Sequence, residues 1–374
     1  QLWIDMITMI GERMHEKYPE IGLVIATHSG PNYIRHGIAA AINSYTNIPY
    51  VTGIIAQVWS DTIAVPVNYA GQYQERAFEA GFLGYASFPD SMQPGQVLYS
   101  LTDAKADNPA FDWDKCRYLW KKSTTSQLMQ SGIHNFQECV WPSRGFTPAP
   151  QDFKTSQLNL FQVMRDIGGK ETNLYAGTPG ISVALGDSFT WQKNYSSWMA
   201  TGSSQNALYG MTIPLIERGI PVSVTSLDYL ESPADLEDVK VLLLSYDVNK
   251  PLSEKANAAI AEWVKQGGTV LYLGGRDDYD TISGEWWSDK NQTPYENLLG
   301  HLGLDVSVSQ SDSFEIIEWC GNRGYGQSIH DIYSMINLSD FTNFFTGSGF
   351  DPLMKMGEET VGFDAKVGKG HFIS

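Results

Sequence analysis

Apolar residues recur along the first segment at Leu2, Trp3, Met6, Ile7, Met9, Ile10 and Met14, a helical spacing that stops near Pro19. A regular alternation of short apolar runs and amphipathic stretches follows. The runs "GLVIATH" (22–28), "VTGIIAQVW" (51–59), "QVLYSL" (96–101) and "IHNFQECV" (133–140) read as strands. Between and after them, helices are predicted over 33–45, from Gly71 to Tyr85, from Trp113 to about Gln130 and from about Phe153 to Ile167. Nearly continuous apolar strands separated by amphipathic helices describe a parallel sheet covered by helices, hence an α/β fold. A closed eight-unit barrel takes about 250 residues, so four units in roughly 150 residues amount to half of one. The sequence is therefore expected to begin inside a longer protein, and its end, "KVGKGHFIS", to fall within another strand.

After a linker at "AGTPG" (176–180) a second alternation begins with strand "ISVALGD" (181–187) and a helix near 204–218. Strands "PVSVTS" and "VKVLLLSYD", helix "SEKANAAIAEWVKQGG" and strand "TVLYLGG" complete it, an open doubly wound sheet. Ser253 and Glu254 open that helix and the Gly267-Gly268 pair closes it, as capping preferences require. Beyond about residue 310 the pattern weakens to irregular structure and short strands. The expected division is 1–175 for the first unit and 180–374 for the second.

Charge narrows the partners. The chain has 25 Lys and Arg against 42 Asp and Glu, a formal charge of −17. It repels phosphate backbones and anionic membranes, so neither nucleic acid nor a membrane is expected as a partner. No apolar run approaches the roughly 18 residues of a membrane span. Cys116, Cys139 and Cys320 are widely spaced, without a zinc-site pattern, and an odd count does not make a full disulfide framework. The start is neither a basic-then-apolar leader nor an initiator methionine, so the compartment, cytoplasmic or exported, stays open.

In α/β folds ligands meet the carboxyl ends of the strands, so the residues just after each strand are the candidates for chemistry. These are His28 after the first, Trp59 and Asp61 after the second, Asp103 and Asp107 after the third, and Glu138, Trp141 and Arg144 at the fourth. Carboxylates and tryptophans thus share one rim. Glycoside hydrolysis needs two carboxyl groups about 5 to 10 Å apart, one protonating the leaving oxygen and one acting as nucleophile or base. Tryptophan faces suit the apolar faces of sugar rings. Asp103 and Glu138 are the catalytic candidates, and His28, Trp59, Asp61, Asp107, Trp141 and Arg144 the substrate-binding ones. The plainer alternative is that "DAKADNP" is a turn and its acids cap the next helix. Glu75 and Glu79 read as a solvated face or as partners of Arg76. His15, His36 and His134 lack metal-ligand spacing, no phosphate loop follows any strand, and "GNRGYG" (321–326) reads as loop, so no metal or cofactor is expected.

The stretches "IAQVWSDT", "QERAFEAGF", "SLTDAKADNP" and "FQECVWPSRGF" resemble the later half of the catalytic barrel in a group of bacterial glycoside hydrolase-like proteins, over residues 50–146. Counted as the last four strands of eight, they put Asp103 on the seventh, which in many retaining barrel glycosidases carries the nucleophile, usually as Glu. The acid/base of the fourth strand would then lie before residue 1. The segment "DVKVLLLSYDVNKPLSEKANAAIAEWVKQGGTVLYLGG" resembles the glutamine-amidotransferase-like domain that follows the barrel in some β-galactosidases and serves there for trimerisation. A working amidotransferase needs a Cys nucleophile on the turn after such a strand and a His-x-Glu. Here the turn is Gly274-Gly275-Arg276-Asp277, and Gly303, Ile332 and Ile373 stand two residues after His301, His330 and His371. The resemblance thus implies a partial (β/α)8 barrel followed by a non-catalytic amidotransferase-like domain, a glycoside hydrolase with a carbohydrate substrate, and a homo-oligomer through the second domain. The rival is a non-catalytic carbohydrate-binding or scaffold protein with a degenerate site.

Overall fold

The computed structural model describes residues 2–33, 40–59, 63, 66–69, 72–105, 108–130, 132–138, 141–167, 180–191, 202–247, 249–274, 283–311, 317–319 and 342–374. Asp61, Asp107, Cys139, Cys320, most of the 176–180 linker and the 321–326 segment lie outside them.

The first half opens with α1 (Leu2–Lys17), β1 (Leu23–His28) and the short helices α2 (Gly30–Tyr33) and α3 (Ile42–Thr46). It continues through β2 (Val51–Gln57), β3 (Pro66–Tyr69), β4 (Gln72–Glu75), α4 (Ala77–Ala86), β5 (Val97–Thr102), α5 (Trp113–Leu128), β6 (Asn135–Glu138), α6 (Pro142–Gly145) and α7 (Gln151–Ile167). The four predicted strands pair in parallel, in the order β1-β2-β5-β6. β1 and β6 are its two edges.

Two elements differ from the sequence pattern. The helix expected from Gly71 begins only at Ala77, because residues 72–75 pair with 66–69 as an antiparallel hairpin, Tyr69 opposite Gln72. "QYQE" alternates in side-chain character and fits a strand as well as a first helical turn, and only the pairing partner decides between them. The helix expected over 33–45 is interrupted, since residues 40 and 41 lie outside any helix between the short helices α2 and α3, while 34–39 lie outside the described residues.

The second half runs β7 (Ile181–Leu185), α8 (Ser188–Trp191), α9 (Gly202–Ile216), β8 (Ser223–Ser226), β9 (Val241–Leu244), α10 (Glu254–Gln266), β10 (Thr269–Tyr272) and α11 (Pro294–Leu302). It ends in β11 (Asp305–Ser311), β12 (Ile317–Trp319), β13 (Thr342–Ser348), β14 (Asp351–Met356), β15 (Glu359–Val367) and β16 (Gly370–Ile373). Parallel pairing joins β8-β7-β9-β10-β16, and the order reverses between β7 and β9 as in a doubly wound sheet. Ser253 caps α10 through the Lys255 amide, and Gly267 ends it at φ +134. The region beyond 310, expected to hold irregular structure and short strands, extends the sheet with antiparallel strands. β13 reads TNFFTGS, so its apolar signal is thin, and its partner β11 lies well upstream, whereas β14, β15 and β16 follow one another as hairpins, with Met356 opposite Glu359 and Val367 opposite Gly370.

One apolar core runs through both halves. Ile54, Leu83 and Tyr85 of the first pack in the same cluster as Val183, Leu185, Leu208 and Val224 of the second. Among the described residues, no helix is long and apolar enough to cross a membrane.

Candidate functional site

The register of the first sheet sorts its side chains by face. Thr27, Ala56, Ser100 and Phe136 form one row, and Ser100 Oγ accepts a 2.6 Å bond from Gln127 Nε2 of α5, so that row faces the helices. His28, Gln57, Leu101 and Gln137 form the next row, on the opposite face. Trp59 and Asp103 share the parity of that second row at the strand ends.

Around these ends the aromatic and charged candidates interlock. His28 meets Trp59 edge-on at 6.0 Å, and Trp59 meets Trp141 at 5.6 Å and 68°. The Arg144 guanidinium lies over both indoles, 5.3 Å from Trp59 and 5.7 Å from Trp141, and approaches Asp103 Oδ2 at 3.4 Å. A cation over two aromatic faces beside a carboxylate is held by both charge and quadrupole. The rim thus brings together His28, Trp59, Asp103, Trp141 and Arg144. Trp141 is 42% exposed, whereas Asp103 is 1% exposed.

Asp103 does not cap the helix that follows it. That helix, α5, is capped by Asp112, whose Oδ1 accepts the Lys115 amide at 2.8 Å. Asp103 Oδ1 accepts from the Lys105 amide at 3.3 Å, closing a local turn. Gly145 stands against the same oxygen; a Cβ there would sit 2.9 Å from it.

Glu138 takes the other face. It is in register with Thr102, whose hydroxyl is 2.8 Å from Ser123 of α5, and its own Oε2 accepts a 3.2 Å bond from Trp120 Nε1 of the same helix. Its Oε1 is enclosed, with no hydrogen-bond partner in geometric reach among the described residues. Burial pushes the Glu138 carboxyl well above the usual range; the Trp120 bond works against this, and the Asp103 charge adds to it. The two candidate carboxylates are electrically coupled, but the alternation of the strands turns them to different faces. An open cleft of roughly 630 Å³ runs along β6, lined by Tyr99, Gln137, Glu138, Phe161 and Arg165 among others.

Sequence reasoning passed over three contributors. Gln57 fixes Trp59 by accepting from its Nε1 at 3.0 Å; it stands in "IAQVW", two residues before that Trp, and could have been found there. Tyr33 stacks on His28 at 4.1 Å. Trp120, in mid-helix, reads as core and gave no signal. Glu75 and Arg76 are structural, Glu75 pairing with Lys115 at 2.6 Å and Arg76 with Glu79 and Glu217 at 3.7 and 3.4 Å. Among the described residues no group of three or more His, Cys, Asp or Glu could hold a metal ion.

The whole chain superposes on a β-galactosidase. The match, to the enzyme from Bacillus circulans sp. alkalophilus, has a TM-score of 0.56 at 11% identity and covers 99% of this chain and 52% of that one. At that identity the likeness shows the fold, a glycoside-hydrolase-like α/β arrangement, and the chain spans about half the length of the protein it matches. Two cytoplasmic proteins of Salmonella typhimurium align over 42% and 45% of the chain at 16% and 14% identity, covering 70% and 74% of their own lengths; with TM-scores of 0.27 and 0.30 they add nothing to the fold. No family model and no curated protein matches the sequence.

Proposed function

We propose that the chain belongs to a glycoside hydrolase-like protein and contributes a carbohydrate-binding rim built on His28, Trp59, Trp141 and Arg144, with Asp103 as its reacting carboxylate. The observation that carries this is the Trp59–Trp141 pair bridged by Arg144 beside Asp103 at the carboxyl ends of parallel strands. Indole faces hold the C–H side of a sugar ring, while Arg and carboxylate groups hold its hydroxyls. The Arg144 contact keeps a carboxylate at a fixed place, as a nucleophile on a strand end requires. Asp61 and Asp107 join the site as hydroxyl ligands, and no cofactor or metal takes part. In the same proposal the four parallel units are half of a closed barrel whose other strands lie along the free edges of β1 and β6. Exposed apolar residues at both flanks support closure: Leu2, Trp3, Met9 and Ile10 on α1, and Leu158 and Val163 on α7. The unit from 180 to 374 is then a non-catalytic amidotransferase-like module for assembly into a homo-oligomer.

A second reading, a binding or scaffold protein without turnover, draws support from Asp103 at 1% exposure and Glu138 hydrogen-bonded toward α5. Tryptophan fluorescence of this chain, titrated with a panel of sugars led by β-galactosides, tests the rim. Trp59→Ala and Trp141→Ala are each expected to weaken binding about tenfold or more, while Asp103→Asn still binds. A panel in which no sugar changes the signal would overturn the rim. Release of nitrophenol from aryl galactosides by the full-length protein, lost by several orders of magnitude in Asp103→Asn, separates the enzyme from the binder.

A further inference from the structure

A buried hydroxyl of the second half, that of Tyr209, reaches the turn that carries the rim's first aromatic stack. Tyr209, on α9, is 1% exposed. Its OH donates to the Pro31 carbonyl at 3.2 Å and lies 3.5 Å from Asn32 Nδ2, so it reaches the α2 turn directly behind β1. That turn is closely held. Asn32, fully buried, also donates to the Ala80 carbonyl at 3.0 Å, and its Oδ1 accepts from Ser29 Oγ. Gly84 of α4 closes the far side, where any Cβ would collide with Asn32 Oδ1. The turn ends in Tyr33, whose ring stacks on His28 at 4.1 Å, and His28 in turn meets Trp59. A buried phenol needs a partner for its O–H, and here the partner is the backbone that carries the rim's first aromatic stack.

We propose that Tyr209 is a positioning residue for the rim: its hydroxyl fixes the 30–33 turn, and through the Tyr33–His28 stack it sets the place of His28 beside Trp59. The second half of the chain thereby shapes a site whose residues all belong to the first half. This rests on the rim being a carbohydrate site only as far as sugar affinity is concerned; the mechanical link stands without it.

Tyr209→Phe keeps the ring in the core and removes only the hydroxyl. In the whole chain, the His28 imidazole and Trp59 indole resonances are expected to move, and sugar affinity to fall about threefold to tenfold with KM rather than kcat affected. Tyr246→Phe, which removes a buried hydroxyl bonded to Asn257 within the second half, serves as the comparison for general loss of stability and should move neither resonance. Ser29→Ala, which loosens the same turn from the first sheet, should move the same two resonances as Tyr209→Phe. Unchanged His28 and Trp59 signals in Tyr209→Phe would overturn the proposal, as would unchanged signals in Ser29→Ala if Tyr209→Phe does not fold. If the wild-type chain binds no sugar, the rim fails as a carbohydrate site while the resonance shifts still decide the link.

Discussion

Glu138 shows what a single residue's surroundings do to its chemistry. Its carboxyl is raised because burial disfavours the charge, and Asp103 repels it further. The folded state therefore holds the proton more tightly than the unfolded one. The stabilisation from this group is complete below the usual carboxylate range and is lost as pH rises through the raised value. Glu138→Gln keeps an acceptor for Trp120 Nε1 and removes the titration. Urea unfolding from about pH 5 to about pH 8 should show wild type losing stability relative to Glu138→Gln as pH rises; parallel curves would contradict the raised pKa. The sequence offered Glu138 and Asp103 as equals at two neighbouring strand ends. Their division between two faces depends on the register Thr102 to Glu138, which no single strand encodes.

At the scale of elements, the parallel sheet depends on a close approach at Gly53. A Cβ there would sit 2.6 Å from the Val97 carbonyl oxygen on the neighbouring strand β5. Gly53→Ala must therefore push β2 and β5 apart or bend one of them, and both strands carry rim residues at their ends. A loss on the order of 2 kcal/mol in chemical denaturation is expected, together with a change in Trp59 fluorescence. An unchanged midpoint would show that the pair relaxes freely. The strand itself was legible in "VTGIIAQVW", since a nearly continuous apolar run marks a strand buried on both faces. The β3–β4 hairpin was not, because its polar residues have no periodicity that excludes a helix and only their mutual pairing makes them strands.

For the molecule as a whole, the two halves meet through a buried polar network as well as a common core. Asp187, at the end of β7, accepts from the Asn43 amide at 3.0 Å and from the Ser44 amide and hydroxyl at 2.8 and 2.6 Å. Asp228 accepts from Asn43 Nδ2 at 2.7 Å, and the Tyr229 hydroxyl donates to the Asn43 carbonyl at 2.8 Å. Burial and the neighbouring Asp228 charge push the Asp187 carboxyl up to about 6. Stability from this group is full below the usual value near 4 and lost as pH rises through about 6. Relative to wild type, Asp187→Asn should therefore lack a decline on the order of 2 kcal/mol between about pH 4.5 and pH 6.5, read by thermal or urea unfolding. A decline of the same size in both proteins would show that Asp187 does not titrate in that window. What the sequence alone determined is what local pattern can carry: the α/β class, the four parallel strands, the cap at Ser253, and the gathering of His28, Trp59, Asp103, Trp141 and Arg144 at strand ends. Tertiary structure decided the rest, because register sets which face a side chain takes, pairing separates hairpin from helix, and the contacts of Tyr209 and Asp187 join residues well over a hundred positions apart.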